Sequence, residues 1–266
     1  MKTKKAGKAM LLALAIMAAL QTNVFAGGAK EEPKEQLTIM VAAAASLRYS
    51  YEQELIPLFQ KKYPHITVEG TYDSSGKLQS QIEAGLEADV FMSAAPTQMN
   101  NLAGKNLVVP ASVKPLLENK IVLIKPAGSP TAASDFKSAA GAKTIAIGDP
   151  ASVPAGQYAR EAFTSLGVWD AVLSKASLGT NVTEVLNWVG AASAELGVVY
   201  ATDAATTNKV EVVAEAPEGS MKQKVIYPAG IVAASKHPQE AQTFIDFLAS
   251  QEALEVFRKY GFSAAQ

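Results

Sequence analysis

From residue 37 onward the chain alternates short apolar runs with longer amphipathic stretches. LTIMVAAAA (37–45) is apolar but for one threonine, the pattern of a strand buried on both faces. SLRYSYEQELIPLFQKKYP (46–64) spaces its apolar residues at helical intervals, with Pro57 expected to kink the helix. The alternation goes on with a strand over 66–73, a helix over 76–85, a strand over 88–94 and a helix over 97–106. A second set follows: strand 120–128, helix 131–140, strand 144–150, helices 156–167 and 181–192, and strands 196–201 and 210–216. A long extended run over 223–235 leads into two closing helices, 238–250 and 251–262. Apolar runs separated by amphipathic segments predict βαβ units around a parallel sheet, an α/β fold. Long strands near residues 120 and 225 offer two places for the chain to cross between the sets. The expectation is two α/β lobes joined by a two-strand hinge, with lobe 1 at 37–118 plus 229–266 and lobe 2 at 119–228.

The first 26 residues break the pattern. A basic start with four lysines, MKTKKAGK, runs into the apolar AMLLALAIMAALQ and ends in TNVFA, with small residues at Val24 and Ala26. This is the pattern of a secretory signal peptide cut after Ala26. The apolar run falls short of the roughly 20 residues that span a bilayer. Losing those four lysines leaves 20 basic and 25 acidic residues, a net charge of −5. Such a balance supplies no general basic surface for nucleic acid or anionic lipid. The chain has no cysteine, which excludes disulfides, thiolate metal sites and a lipid-bearing N-terminal cysteine. The product is expected to be soluble and periplasmic.

Candidate chemistry lies where helices begin at the carboxyl ends of strands, the place where ligands gather in open α/β sheets. Ser46 opens one helix, Ser74, Ser75 and Gly76 the next, Ala155 and Gly156 in VPAG a third, and Asn181 and Val182 a fourth. Each start presents unpaired backbone N–H groups and the positive end of a helix dipole, so together they describe an anion site built without cations. Tyr200, at the end of a strand in the second set, adds a phenol donor. A single serine or asparagine at a helix start is an ordinary cap; four uncharged starts, spread over both halves, point to a ligand. A site made only of donors suits a fully ionised dianion, because an anion that keeps a proton needs an acceptor opposite it. Sulfate, molybdate and tungstate qualify. Two other chemistries are weaker. His65 and His237 each sit beside a proline at an element boundary, and no nucleophile elbow, phosphate loop or zinc helix occurs. That leaves the acid pair Asp149 and Asp203 as the catalytic alternative. YSY at 49–51 is the candidate for binding ferric ion, but its spacing points the two rings apart on a helix.

In order along the chain, VAAAASL, SSGKLQSQIEAGLEADVFMSA, GDPASVPAGQYAREAF, LGVVYATDA and VFRKYGF resemble the molybdate-binding proteins of bacterial ABC importers, from about residue 37 to the C-terminus. The resemblance implies a periplasmic binding protein-like fold of type II, with a ligand cleft between two α/β lobes that close over molybdate or tungstate. It implies Ser46, Ser75, Ala155, Val182 and Tyr200 as contacts, with Ala155 and Val182 acting through their backbone N–H. The metal would be held as its oxyanion, with no direct protein ligand and no cofactor. The implied protein is a monomer with a membrane permease as its partner, and not an enzyme. Two residues depart from the pattern: Asp73 stands before the serine pair where the family carries a small or neutral residue, and Arg48 lies two residues into the first helix. Sulfate stays open as the alternative ligand.

Overall fold

A computed structural model describes residues 35–265. Eleven strands alternate with helices among these residues: β1 (Leu37–Ala44), β2 (Ile66–Asp73), β3 (Val90–Met92), β4 (Lys114–Asn119), β5 (Ile121–Pro126), β6 (Ile145–Gly148), β7 (Ala176–Gly179), β8 (Leu196–Tyr200), β9 (Val210–Glu215), β10 (Val225–Ile231) and β11 (Ser263–Ala264). They form a six-stranded sheet in the order β11-β4-β10-β3-β1-β2 and a five-stranded sheet in the order β7-β6-β8-β5-β9. The chain passes between the sheets at Lys120 and again between Glu215 and Val225. The boundary expected at 228/229 falls inside β10, a strand of the six-stranded sheet.

Each sheet is mixed, which corrects the expectation of a parallel sheet. β2, β1 and β3 run parallel, as do β7, β6 and β8, whereas β10, β4 and β11 in one sheet and β5 and β9 in the other pair antiparallel. Four of these antiparallel strands, β4, β5, β9 and β10, carry the chain between sheets. Such a strand enters its sheet from the neighbouring one, without the crossover helix that makes a pair parallel. In both parallel cores the first strand lies between the other two. β1 and β6 are therefore topological switch points, with a crevice at their carboxyl ends.

The helices are α1 (Arg48–Ser50), α2 (Ile56–Lys62), α3 (Ser75–Glu83), α4 (Pro96–Gly104), α5 (Pro154–Ser165), α6 (Trp169–Leu173), α7 (Val182–Gly190), α8 (Ala201–Ala204), α9 (Pro238–Leu248) and α10 (Gln251–Lys259). None of the described helices is long and apolar enough to cross a membrane. Between α1 and α2 the backbone widens into a π-helical turn, Tyr51–Leu55, just before Pro57. Proline has no N–H to donate to the preceding turn, so the regular ladder is interrupted there. The closing helices return to the six-stranded sheet, where Phe244, Phe247 and Phe257 pack around Tyr51 and Phe59. On that sheet's other face Leu78 and Ile82 of α3 and Met99 and Leu102 of α4 pack with Phe91.

Other expectations failed locally. No α-helix forms over 131–140; only a short 3₁₀ turn, Ser138–Gly141, is present. The Ser138 hydroxyl accepts from the N–H groups of Ser134 and Asp135, and the Asp135 carboxylate accepts from Ser138 N–H. Local side-chain bonds of this kind compete with the helical ladder. β7 is an edge strand with Leu178 exposed, so its sequence carries little burial signal. β4 was hidden by Pro115, which faces Pro228 across the strand pair next to a register shift. Proline is tolerated at such irregularities.

Candidate functional site

The loops after β1, β2, β6 and β7 and the last residue of β8 converge on one small cavity between the sheets. Ser46, Ser75, Ala155, Val182 and Tyr200 all line it, joined by Ala45, Asp73, Ser74 and Pro154 among others. The space open to a water-sized sphere is about 10 Å³, enough for roughly one such sphere. No lysine or arginine lines it.

The local sequence explains how each donor is presented. α3 begins at Ser75 and α7 at Val182, while α5 begins with Pro154, whose missing N–H is no loss at that position. The first N–H groups of a helix have no intrahelical acceptor, and no other backbone acceptor meets those of Ser75, Ala155 or Val182 among the described residues. All three residues are buried. Small residues let the chain come close: a Cβ on Gly156 would lie 1.9 Å from the Gly148 carbonyl oxygen, so only glycine permits α5 to start against the end of β6.

The hydroxyls are oriented by the protein. Ser75 Oγ accepts from Ala94 N–H at 3.0 Å, which leaves its own proton free to donate into the cavity. Ser46 Oγ lies 3.0 Å from the Tyr227 hydroxyl. The Tyr200 hydroxyl and Ser74 Oγ are buried with no hydrogen-bond partner. Burial, reinforced by Tyr227, holds the Tyr200 phenol well above its ordinary pKa, so it remains a neutral donor. Two unsatisfied hydroxyls at one cavity are costly unless something occupies it. Ser74 was read from the sequence only as part of a helix start. Although it holds the cap position of α3, its side chain makes no capping bond.

The two residues that depart from the family pattern have defined places. Asp73 lines the cavity, but its carboxylate is engaged: Oδ1 accepts from Ser74 N–H at 2.7 Å and from Asn181 Nδ2 at 3.2 Å, and Oδ2 lies 3.4 Å from Lys77 Nζ. These donors offset its charge. Arg48 does not line the cavity; it is exposed, pairs with Glu52 at 3.1 Å and borders a separate open groove. Asn181 caps α7 by accepting from Glu184 N–H and also joins the two halves through Asp73. Two more hydrogen bonds cross between the halves near the cavity, Gly76 N–H to the Ser152 carbonyl at 2.9 Å and Gln98 Nε2 to Gln157 Oε1 at 3.1 Å.

The residues behind the other readings do not gather here. Asp149 accepts from Ala151 N–H within its own turn, and Asp203 lies buried in α8, its pKa pushed up to about 7 by burial against the pull of backbone N–H groups. Neither lines the cavity. His65 and His237 sit at turns that lead into β2 and α9. Tyr49 is exposed and Tyr51 fully buried, on opposite sides of their helix.

Residues 39–263 match the family model described as bacterial extracellular solute-binding protein. The chain belongs to this family. Among relatives of this solute-binding protein, the molybdate-binding protein ModA of Haemophilus influenzae is 38% identical over 231 residues, covering 85% of this chain and 90% of its own. Among solved structures, the periplasmic molybdate-binding protein of Azotobacter vinelandii superposes with a TM-score of 0.75 at 22% identity, covering 86% of this chain and all of its own. The sulfate-binding protein SubI of Mycobacterium tuberculosis gives a TM-score of 0.74 at 17% identity, covering 87% and 88%. At those identities the likeness establishes a periplasmic binding protein fold, two α/β lobes around a cleft, and not the anion it holds. The predicted signal peptide lies outside the described residues; the family as a whole is extracellular.

Proposed function

We propose that this protein captures molybdate, and tungstate with it, outside the cytoplasm and delivers it to the membrane permease of an ABC importer. The observation that carries the reading is the cavity itself, where uncharged donors from both halves meet around one small space, with no cation among the lining residues. Ser46, Ser75 and Tyr200 serve as hydroxyl donors, and Ala155 and Val182 donate through their N–H groups. The identity to the Haemophilus molybdate-binding protein supports molybdate over sulfate. The protein acts as a monomer without cofactor or catalysis, and nucleic acid is not a partner. After a predicted cut behind Ala26 the mature chain works in the periplasm.

Closure follows from the arrangement. An anion satisfies donors of both lobes only when the lobes are together, so it binds the closed state more tightly and shifts the population toward it. The two chain crossings act as the hinge.

A thermal-shift panel of molybdate, tungstate, sulfate, phosphate and ferric citrate tests the assignment. A ligand at a thousand times its dissociation constant stabilises by about 4 kcal/mol. Stabilisation by molybdate and tungstate at micromolar concentration, with the others silent, is the expected outcome; a response to sulfate alone would transfer the site to that ion. Within this reading, Tyr200→Phe removes one neutral donor to a charged ligand, worth about 1.5 kcal/mol. Calorimetry should show a roughly tenfold weaker molybdate affinity with the fold unchanged.

A further inference from the structure

A chain of hydrogen bonds runs from the hinge to the cavity. Lys120 N–H donates to Asn119 Oδ1 at 2.8 Å, and Asn119 Nδ2 donates to Thr202 Oγ1 at 2.8 Å and to the Tyr227 hydroxyl at 3.2 Å. The Tyr227 hydroxyl lies 3.0 Å from Ser46 Oγ. Asn119 ends β4 at the first crossing, Tyr227 lies in β10 beside the second, and Thr202 belongs to α8 beyond the five-stranded sheet. Asn119, Thr202, Tyr227 and Ser46 are all buried, so bulk water does not reorient the chain.

The orientation of the amide follows from its first member. A backbone N–H can only donate, so the Asn119 amide must turn its oxygen toward Lys120 and its NH₂ toward Tyr227; the flipped amide would set two donors against each other. Tyr227 then accepts from Asn119. With Asn119 on one side, the partner within hydrogen-bond distance for its single proton is Ser46 Oγ, a contact in which either oxygen can donate. When Ser46 accepts that proton, its own hydroxyl hydrogen is free to point into the cavity it lines. Ser75 reaches the same state more simply, through Ala94 N–H.

We propose that Tyr227, held by Asn119, is a positioning residue that makes Ser46 an obligate donor to the anion. This inference rests on the reading of the cavity as the oxyanion site and deepens it: the preference for a fully ionised anion is set partly by residues that never touch the ligand. It also ties the binding serine to the hinge, because the relay keeps its polarity only while both crossings and α8 hold the geometry seen here.

Tyr227→Phe keeps the ring and its packing against Tyr200 and Phe262 and deletes the relay. Molybdate affinity measured by calorimetry should fall about tenfold in Tyr227→Phe and by a similar factor in Ser46→Ala. In the double variant Ser46→Ala/Tyr227→Phe it should fall no further than in Ser46→Ala alone, because Tyr227 acts through Ser46. Asn119→Ala, which removes the donor to the Tyr227 hydroxyl and lets that oxygen accept from Ser46 without touching the ligand site, should behave in the same way and serves as the second variant if Tyr227→Phe does not fold. A purely structural role would lower the melting temperature and give additive losses, and that result overturns the relay. So does an unchanged affinity in Tyr227→Phe while Ser46→Ala weakens binding. If Ser46→Ala itself leaves molybdate affinity intact, the cavity is not the oxyanion site, and the relay falls with that broader reading.

Discussion

Ser75→Asp abolishes molybdate binding while the protein remains folded. Ser75 is 1% exposed, begins α3 and lines the cavity. A carboxylate there can still accept from Ala94 N–H, as the serine oxygen does, and acids are favoured in the first turn of a helix. The fold therefore has reason to tolerate it. The ligand does not. A negative charge about 4 Å from a dianion, at an effective dielectric of about 20, opposes binding by roughly 4 kcal/mol for each ligand charge. Affinity should drop by more than about a thousandfold. Ser75→Ala, which removes one donor to the anion and the acceptor of Ala94 N–H but adds no charge, should cost about tenfold in affinity. Calorimetry on both variants, with circular dichroism to verify folding, decides the matter. Equal effects of the two substitutions would mean that no anion sits against Ser75.

Gly76→Ala should prevent closure. A Cβ at this position would lie 2.3 Å from the Ser152 carbonyl oxygen, and Gly76 N–H donates to that same oxygen at 2.9 Å. Gly76 belongs to α3, packed on the six-stranded sheet, whereas Ser152 lies in the loop between β6 and α5 of the other half. The obstacle is backbone on both sides, so the simplest relief is to hold the halves apart. The contact lies between the two halves and not within either sheet, so stability without ligand should change little. Molybdate affinity should weaken at least a hundredfold, about 2.7 kcal/mol, and the compaction that ligand induces in small-angle scattering should disappear. Gly156→Ala makes a contrasting control. Its Cβ would meet the Gly148 carbonyl within a single lobe, so it should lower the melting temperature even without ligand. If Gly76→Ala still compacts on adding molybdate, the contact with Ser152 does not govern closure.

The legibility of this site from the sequence has a physical basis. Helix starts at the carboxyl ends of strands singled out Ser46, Ser74, Ser75, Gly76, Ala155, Gly156, Asn181 and Val182 alike, because such starts present unpaired N–H groups. The family resemblance narrowed these to Ser46, Ser75, Ala155 and Val182, and the structure places Ser46 inside a short 3₁₀ turn, Ala45–Leu47, rather than at the start of a helix. Tyr200 was legible as the last residue of an apolar strand. Ser74 was harder to read. As a serine before a helix it carries the signature of a cap, and only the fold reveals that its hydroxyl makes no capping bond and stays buried without a partner. Asp73 was a warning in the sequence that the fold answers, since the donors that occupy it come from a neighbour in the chain, from Lys77 one helical turn on, and from Asn181 in the other half.

The sequence by itself determined the local elements and their polarity. Periodicity and chain punctuation act over ten or so residues, and within that reach burial patterns are unambiguous, as in β1, β2, α5 and α9. Where a segment's conformation depended on short side-chain bonds, as at 131–140, or on an edge position, as in β7, the pattern carried no such signal. Tertiary structure alone decided which strands run antiparallel, where the chain crosses between sheets, and which way the Ser46 hydroxyl points. Those outcomes depend on contacts between residues such as Ser46, Asn119 and Tyr227, which lie far apart in the chain and become neighbours only when the two crossings are in place. Their pairing is an energy of the whole fold, and no window along the sequence contains it.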